Sequence, residues 1–176
     1  AQAGSKSPVP GYAAAHAVVT DADGHVFVAG YFSGRASFRG SAPFPTLALV
    51  SKGSRDVFLA KYDSDGQLLW IRRAGGPGAD TALGVAVDAA GNPHITGYIG
   101  QGAADFSTAI WLQGTAPAYE QTYFVAKYAG VNGELIWARQ GSQGEFTAHG
   151  TGAAIAVDPI GNVHVAGHFS RKDRKS

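Results

Sequence analysis

The sequence predicts an all-β fold built from repeated four-stranded antiparallel sheets, and three observations carry that prediction. One phrase occurs three times, as DADGHVFVAGYF at Asp21 to Phe32, DAAGNPHITGYI at Asp88 to Ile99 and DPIGNVHVAGHF at Asp158 to Phe169. A second phrase lies between its copies: SRDVFLAKYDSDGQLLWIRRAGG runs from Ser54 to Gly76, and QTYFVAKYAGVNGELIWARQGSQG from Gln121 to Gly144. Finally, β-branched and aromatic residues gather in short runs ended by Gly, Asp or Asn, and no longer stretch carries the apolar stripe of a helix.

Each phrase reads as a β-hairpin. Val85 to Val87 leads into Asp88-Ala89-Ala90-Gly91, and Pro93 to Tyr98 returns. An Asp that opens a four-residue turn with Gly near its end suits a type I turn followed by a left-handed residue. In the second phrase, Phe58 to Tyr62, Asp63-Ser64-Asp65-Gly66 and Gln67 to Ile71 repeat the pattern. The copies keep close spacing: Gly30 to Gly97 is 67 residues and Gly97 to Gly167 is 70. Lys61 and Lys127 are 66 apart but Trp70 and Trp137 are 67 apart, so the second copy has one extra residue in its turn.

Two hairpins per unit make one four-stranded sheet, and a sheet apolar on both faces must pack against the next copy. Repeated sheets stacked about an axis form a β-propeller. The chain supplies about two and a half blades where a closed ring typically takes 4–8, so an incomplete ring is expected, with the end faces covered by a partner or by self-association. Units start near residues 14, 81 and 151 within a repeat domain of 14–170, preceded by an N-terminal segment, 1–13, and followed by a basic tail, 171–176.

These phrases resemble the bacterial β-propeller repeats of the SBBP type, whose units run as AVDxxGNxYVTGYxxG followed by DxFVAKYDxDGxLLW. The similarity extends from about Ala14 to Phe169. It implies a secreted, cell-surface or periplasmic protein with no assigned chemistry. Gly66-x-x-x-Trp70 and Gly133-x-x-x-Trp137 are also similar to the tryptophan-docking motif of quinoprotein propellers. That resemblance implies an inter-blade structural role for Trp70 and Trp137, and the repeat-matched Phe58 and Phe124 are assigned with them.

Composition narrows the function classes. The net charge is +1, of which the tail contributes +3, leaving the body at −2 without the basic face of a nucleic-acid module. There is no cysteine, which excludes disulfides, thiolate metal sites and cysteine nucleophiles. No apolar run is long enough to span a membrane as a helix. The opening Ala1-Gln2-Ala3 has the wording of a signal-peptidase site, which favours export. The charged run from Arg171 to Lys175 reads as a solvated tail or as an anion-binding one.

Candidate chemistry yields to structural roles. Asp21-Ala22-Asp23-Gly24 and Asp63-Ser64-Asp65-Gly66 share the opening of a calcium loop, but the second carboxylate is missing from the matching turns, and turn chemistry explains them. His94 and His164 occupy the place of Phe27, which indicates packing, and the glycine-rich stretches lack a phosphate-loop pattern. No catalytic constellation, metal site or cofactor is expected, and no acids and bases cluster at positions that break the repeat.

The variable stretches, Arg35 to Arg55 and Gln101 to Gln121, share Phe38 and Phe106 but otherwise differ. Their apolar residues serve either as longer middle strands or as a contact surface, for which Trp111, Tyr119, Phe44 and Leu47 are the candidates. The expected function is a non-catalytic scaffold or protein-recognition module, with a carbohydrate-binding propeller and a quinoprotein-like or lyase-like propeller as rivals.

Overall fold

The computed structural model describes residues 11–39, 46–114, 121–141 and 148–171. Among them every regular element is a strand, and no helix is long and apolar enough to cross a membrane. In chain order the strands are β1 (Tyr12–Thr20), β2 (Val26–Ser33), β3 (Arg35–Arg39), β4 (Thr46–Val50), β5 (Asp56–Tyr62), β6 (Leu68–Ala74), β7 (Thr81–Val87), β8 (Pro93–Ile99), β9 (Gly102–Asp105), β10 (Trp111–Gly114), β11 (Thr122–Tyr128), β12 (Leu135–Gln140), β13 (Ala148–Val157) and β14 (Val163–Arg171). Phe44 and Tyr119 lie outside the described residues, as do most of the N-terminal segment and 172–176 of the tail.

The first blade is an antiparallel sheet in the order β1-β2-β5-β6, and the second repeats it as β7-β8-β11-β12. β13 and β14 form the first half of a third. These are partial propeller blades. The hairpins close locally: the Oδ1 of Asp21, Asp63, Asp88 and Asp158 accepts backbone N–H groups two and four residues on. The glycine that ends each turn has a positive φ.

The glycine in the middle of the first phrase has another cause. In each repeat the first strand bulges, at Ala15/Ala17, Ala82/Gly84 and Gly152/Ala154. The bulge drives a carbonyl at the neighbouring strand, so a Cβ on Gly30, Gly97 or Gly167 would lie 2.0, 1.9 or 1.9 Å from the oxygen of Ala14, Thr81 or Thr151. Only a hydrogen fits there.

The variable stretches do not lengthen the middle strands. Each folds into its own two-stranded hairpin, β3–β4 and β9–β10, laid against the blade it interrupts. The shared phenylalanines anchor both: the Phe38 ring lies 5.0 Å from that of Phe58, and Phe106 lies 5.0 Å from Phe124. Alternation along the strand sets these directions, because Val57 and Leu59 point to one face of the sheet while Phe58 points to the other.

Stacking repeats as well. β7 lies over β1, β2 and β5, and β13 lies over β7, β8 and β11. The main core fills the first junction, joining Phe27, Leu59 and Trp70 to Ile95, Phe124 and Tyr128. A smaller cluster of Phe32, Phe38, Phe58 and Ile71 seals the β3–β4 hairpin onto the first blade.

Two glycine substitutions separate crowding from backbone strain. Gly97→Ala should cost about 3 kcal/mol or more, because the strand must move away from the Thr81 carbonyl. Gly66→Ala meets nothing within 4 Å at φ +77, and should cost only about 1–2 kcal/mol of left-handed strain. Urea unfolding of the two variants measures the difference; equal losses would show that the bulge carbonyl yields freely.

Candidate functional site

Adjacent blades are joined by side chains of β5 and β6 that close on the β11–β12 turn. Trp70 Nε1 donates to the carbonyl of Gly130 at 3.1 Å, and Lys61 Nζ donates to the same oxygen at 3.0 Å. Arg72 Nε donates to Gly133 O at 3.0 Å, and its Nη2 donates to Asn132 O. Lys61 is buried, with its ammonium 5.1 Å from the Phe27 ring and 3.8 Å from Asp21. Three cationic or N–H groups thus converge on three backbone carbonyls.

The turn that receives them is the one carrying the extra residue. A Cβ on Gly130 would strike the Gly91 carbonyl at 2.0 Å, and one on Gly133 would strike the Trp70 ring at 2.8 Å. Both positions are therefore confined to glycine by the neighbouring backbone and ring.

Blade 2 presents the same side chains at its other face. Lys127, Trp137 and Arg139 occupy the places of Lys61, Trp70 and Arg72, and the ring packing is kept: Trp137 lies 5.9 Å from His94 as Trp70 lies 6.0 Å from Phe27. Burial of the imidazole, then the Lys127 charge, hold His94 below its ordinary pKa. Trp70 is 5% exposed, whereas Trp137 is half-buried and Arg139 is exposed. Among the described residues, Trp137 Nε1 has no acceptor.

Phe124 joins the core of the first junction, whereas Phe58 packs within blade 1 beneath Phe38. Trp111 on β10 is 56% exposed and stands beside a cleft of about 440 Å³ lined by Leu112, Ala138, Arg139 and Gln140. Lys52 Nζ lies 5.8 Å from the centre of its ring. Gln113 N–H donates to Gln140 Oε1 at 2.6 Å and Gln140 Nε2 returns a bond to Gln113 O at 3.2 Å, so β10 is tied to the edge of blade 2. Leu47 is exposed on β4, in the other inserted hairpin.

The structure also gathers charges that the sequence reading left apart, correcting the expectation that none cluster at repeat-breaking positions. Arg73 Nη1 donates to Asp56 Oδ2 at 2.6 Å, and Nη2 donates to both oxygens of Asp105 at 2.8 and 2.7 Å. Lys52 reaches Asp105 at 2.7 Å, and Asp80 accepts from the N–H groups of Gly76 and Gly100 at 2.7 and 2.9 Å. In the second repeat Thr122 stands where Asp56 does, and Gln140 where Arg73 does. The sequence signal was this departure from the repeat, but the partners come from separate segments that meet only when the blades stack.

Burial sets the protonation of this cluster. It pushes Asp80 up to about 6, opposed by its two N–H donors and reinforced by the Asp56 charge. It also raises Asp56, against the hydrogen bond from Arg73. At Asp105 burial is outweighed by Lys52 and Arg73, which hold the carboxyl below its ordinary value. Asp56 and Asp80 are closed to solvent, and the network joins two blades.

Asp21, Asp23 and His25 place three ligand-type atoms within 4.8 Å of one another. The Asp21 carboxylate is already the acceptor of its own turn and lies 2.9 Å from His25 Nδ1. The arrangement is that of the turn.

No family model matches the chain. A WD repeat-containing protein of Acanthamoeba polyphaga mimivirus is 35% identical over 118 residues, which cover 64% of this chain and 8% of the relative. The chain thus spans a small fraction of the length of the protein it matches, and the likeness is to β-propeller-type repeats without singling out the bacterial SBBP type.

Two outcomes follow from the junction. Trp70→Ala should cost roughly 3–5 kcal/mol and Trp137→Ala only about 1–2, since solvent already reaches the second ring; denaturant midpoints read both, and equal losses would mean that the two faces are equally covered. For Asp80, the native state keeps a proton that the unfolded chain releases between 3.8 and about 6, so this group's contribution to stability falls as pH rises through that window. The stability of the protein relative to Asp80→Asn should therefore drop by up to about 3 kcal/mol across the window, and a flat difference would show an ordinary pKa.

Proposed function

We propose that this chain is part of a β-propeller-type repeat array that serves as a non-catalytic scaffold and protein-recognition module. The observation that carries this reading is the surface around Trp111. An exposed indole stands beside Lys52, Arg139 and Gln140, on a hairpin tied to the edge of a blade by paired amide bonds. Trp and Arg are the residues that most often dominate binding energy at protein interfaces, and a rigid support limits the entropy lost on binding. The likeness to a WD repeat-containing protein supports the array, and the burial of Asp56 and Asp80 supports a structural role for the charges around Arg73.

A carbohydrate-binding reading ranks second. It calls for a matching exposed aromatic in each repeat, and the register of the inserted hairpins puts Ala48 opposite Ser37 where Trp111 stands opposite Asp105. The assignment to SBBP-type repeats, and with it a secreted, cell-surface or periplasmic location, rests on the wording of the phrases. Fractionation of the producing cell tests the location.

A photo-reactive amino acid at position 111 should crosslink to a discrete protein partner in the producing cell, while the same group at the exposed turn residue Ser64 should not. Trp111→Ala should abolish that complex and change stability by no more than about 0.5 kcal/mol, as expected for an exposed side chain. Equal labelling at both positions would reject the recognition surface.

A further inference from the structure

We infer that Asn132 is a modification site: its side-chain amide is lost by cyclisation onto the Gly133 nitrogen, and the contact between the first two blades decides when this happens. The site lies inside the junction of two complete blades. It goes beyond the recognition reading, since no part of it involves Trp111.

The chain has three asparagines, Asn92, Asn132 and Asn162. Asn92 precedes Pro93, whose nitrogen carries no hydrogen, and Asn162 precedes Val163, whose branched side chain crowds the approach. Asn132 precedes Gly133, and a residue without Cβ leaves its nitrogen open to the preceding side chain. Asn132 is also exposed, so water can reach it and ammonia can leave. Asp23-Gly24 and Asp65-Gly66 share the spacing, but a carboxylate is a poorer electrophile than an amide.

The Gly133 nitrogen gives its proton to water or hydroxide and bonds to Asn132 Cγ; the bond from Cγ to the side-chain nitrogen breaks, and that nitrogen leaves as ammonia. Water then opens the five-membered succinimide at either carbonyl, which gives aspartate or isoaspartate with a new negative charge and no change of oxidation state. The docked junction opposes the first of these steps. Gly133 N–H donates to Ala129 O at 2.8 Å, Asn132 Oδ1 accepts from Glu134 N–H at 3.0 Å, and the Asn132 carbonyl accepts from Arg72 Nη2 of the neighbouring blade. Trp70 and Lys61 hold the Gly130 carbonyl and Arg72 Nε holds that of Gly133, so the path of the turn is fixed from both ends. Separation of the blades releases those ends and frees the turn to react.

Isoaspartate routes the main chain through Cβ and Cγ of residue 132, adding one backbone atom between the Gly130 and Gly133 carbonyls. Trp70 and Arg72 then cannot meet both. A Cβ on Gly133 would already lie 2.8 Å from the Trp70 ring, so there is no room for displaced chain. A junction that has opened and reacted is thereby kept from closing.

The test incubates the protein at neutral pH and follows residue 132 by mass spectrometry, with enzymatic methylation to identify isoaspartate. A synthetic peptide of sequence Tyr128 to Leu135 gives the rate without the junction. Asn132 in the protein should convert at least about tenfold more slowly than in the peptide, while Arg72→Met, which keeps the stem but loses both bonds to the turn, should convert about tenfold faster than the parent. Urea below the unfolding midpoint should accelerate the parent in the same way, so the result does not rest on the folding of one variant. In the isolated isoaspartate form the NMR signal of the Trp70 indole N–H should move toward its solvent-exposed position, whereas Asn132→Asp, which adds the charge without the extra atom, should keep the parent's signal. Equal rates in the parent, in Arg72→Met and in urea would overturn the inference. So would an unreacted protein once the peptide has fully converted, or an isoaspartate form with an unmoved Trp70 signal.

Discussion

A four-stranded sheet that is apolar on both faces has no stable existence in water, and stacking one such face on the next is the condition on which every other feature of this chain rests. Apolar contact alone leaves the offset between two twisted sheets loosely specified. Here the offset is set by directional bonds at the rim of the contact, where Trp70 and Lys61 share the Gly130 carbonyl and Arg72 takes the carbonyls two and three residues further on. The core supplies the attraction, and the polar rim supplies the alignment.

The charged network at the other end of the junction acts in the same way. Taking Arg73, Asp56, Asp80 and Asp105 out of water carries a desolvation penalty that their mutual attraction offsets only in part, so such a network is weak grounds for stability. Its consequence is geometric. Gly75 and Asp105 exchange both backbone hydrogen bonds, at 3.0 Å each, and this bridge between β6 and the β9–β10 hairpin forms at one offset of the blades. With Asp80 protonated, the cluster holds two cations against two carboxylates; above about pH 6 the third carboxylate unbalances it.

Legibility in the sequence followed the range of the interaction. The turns were readable because Asp-x-x-Gly chemistry acts within five residues, and four of them carry the same side-chain-to-backbone bonds. The shared Phe38 and Phe106 were visible as a match between otherwise dissimilar stretches, yet nothing local indicated that each stretch folds as a separate hairpin clamped on Phe58 or Phe124. The additional residue in the second turn was equally visible as an offset of 67 in place of 66, but the use of that turn's carbonyls as acceptors depends on side chains from another blade.

Repetition in the sequence alone determined the all-β class, the hairpins and their grouping into four-stranded units, because period-two alternation and turn residues act between near neighbours. The tertiary structure decided which copies of the same residues are buried and which stand open. Trp70 and Trp137 are matched in wording and in ring packing, but among the described residues only Trp70 has a neighbouring turn above it. Burial is a property of what lies across the junction, and no phrase can state that for itself.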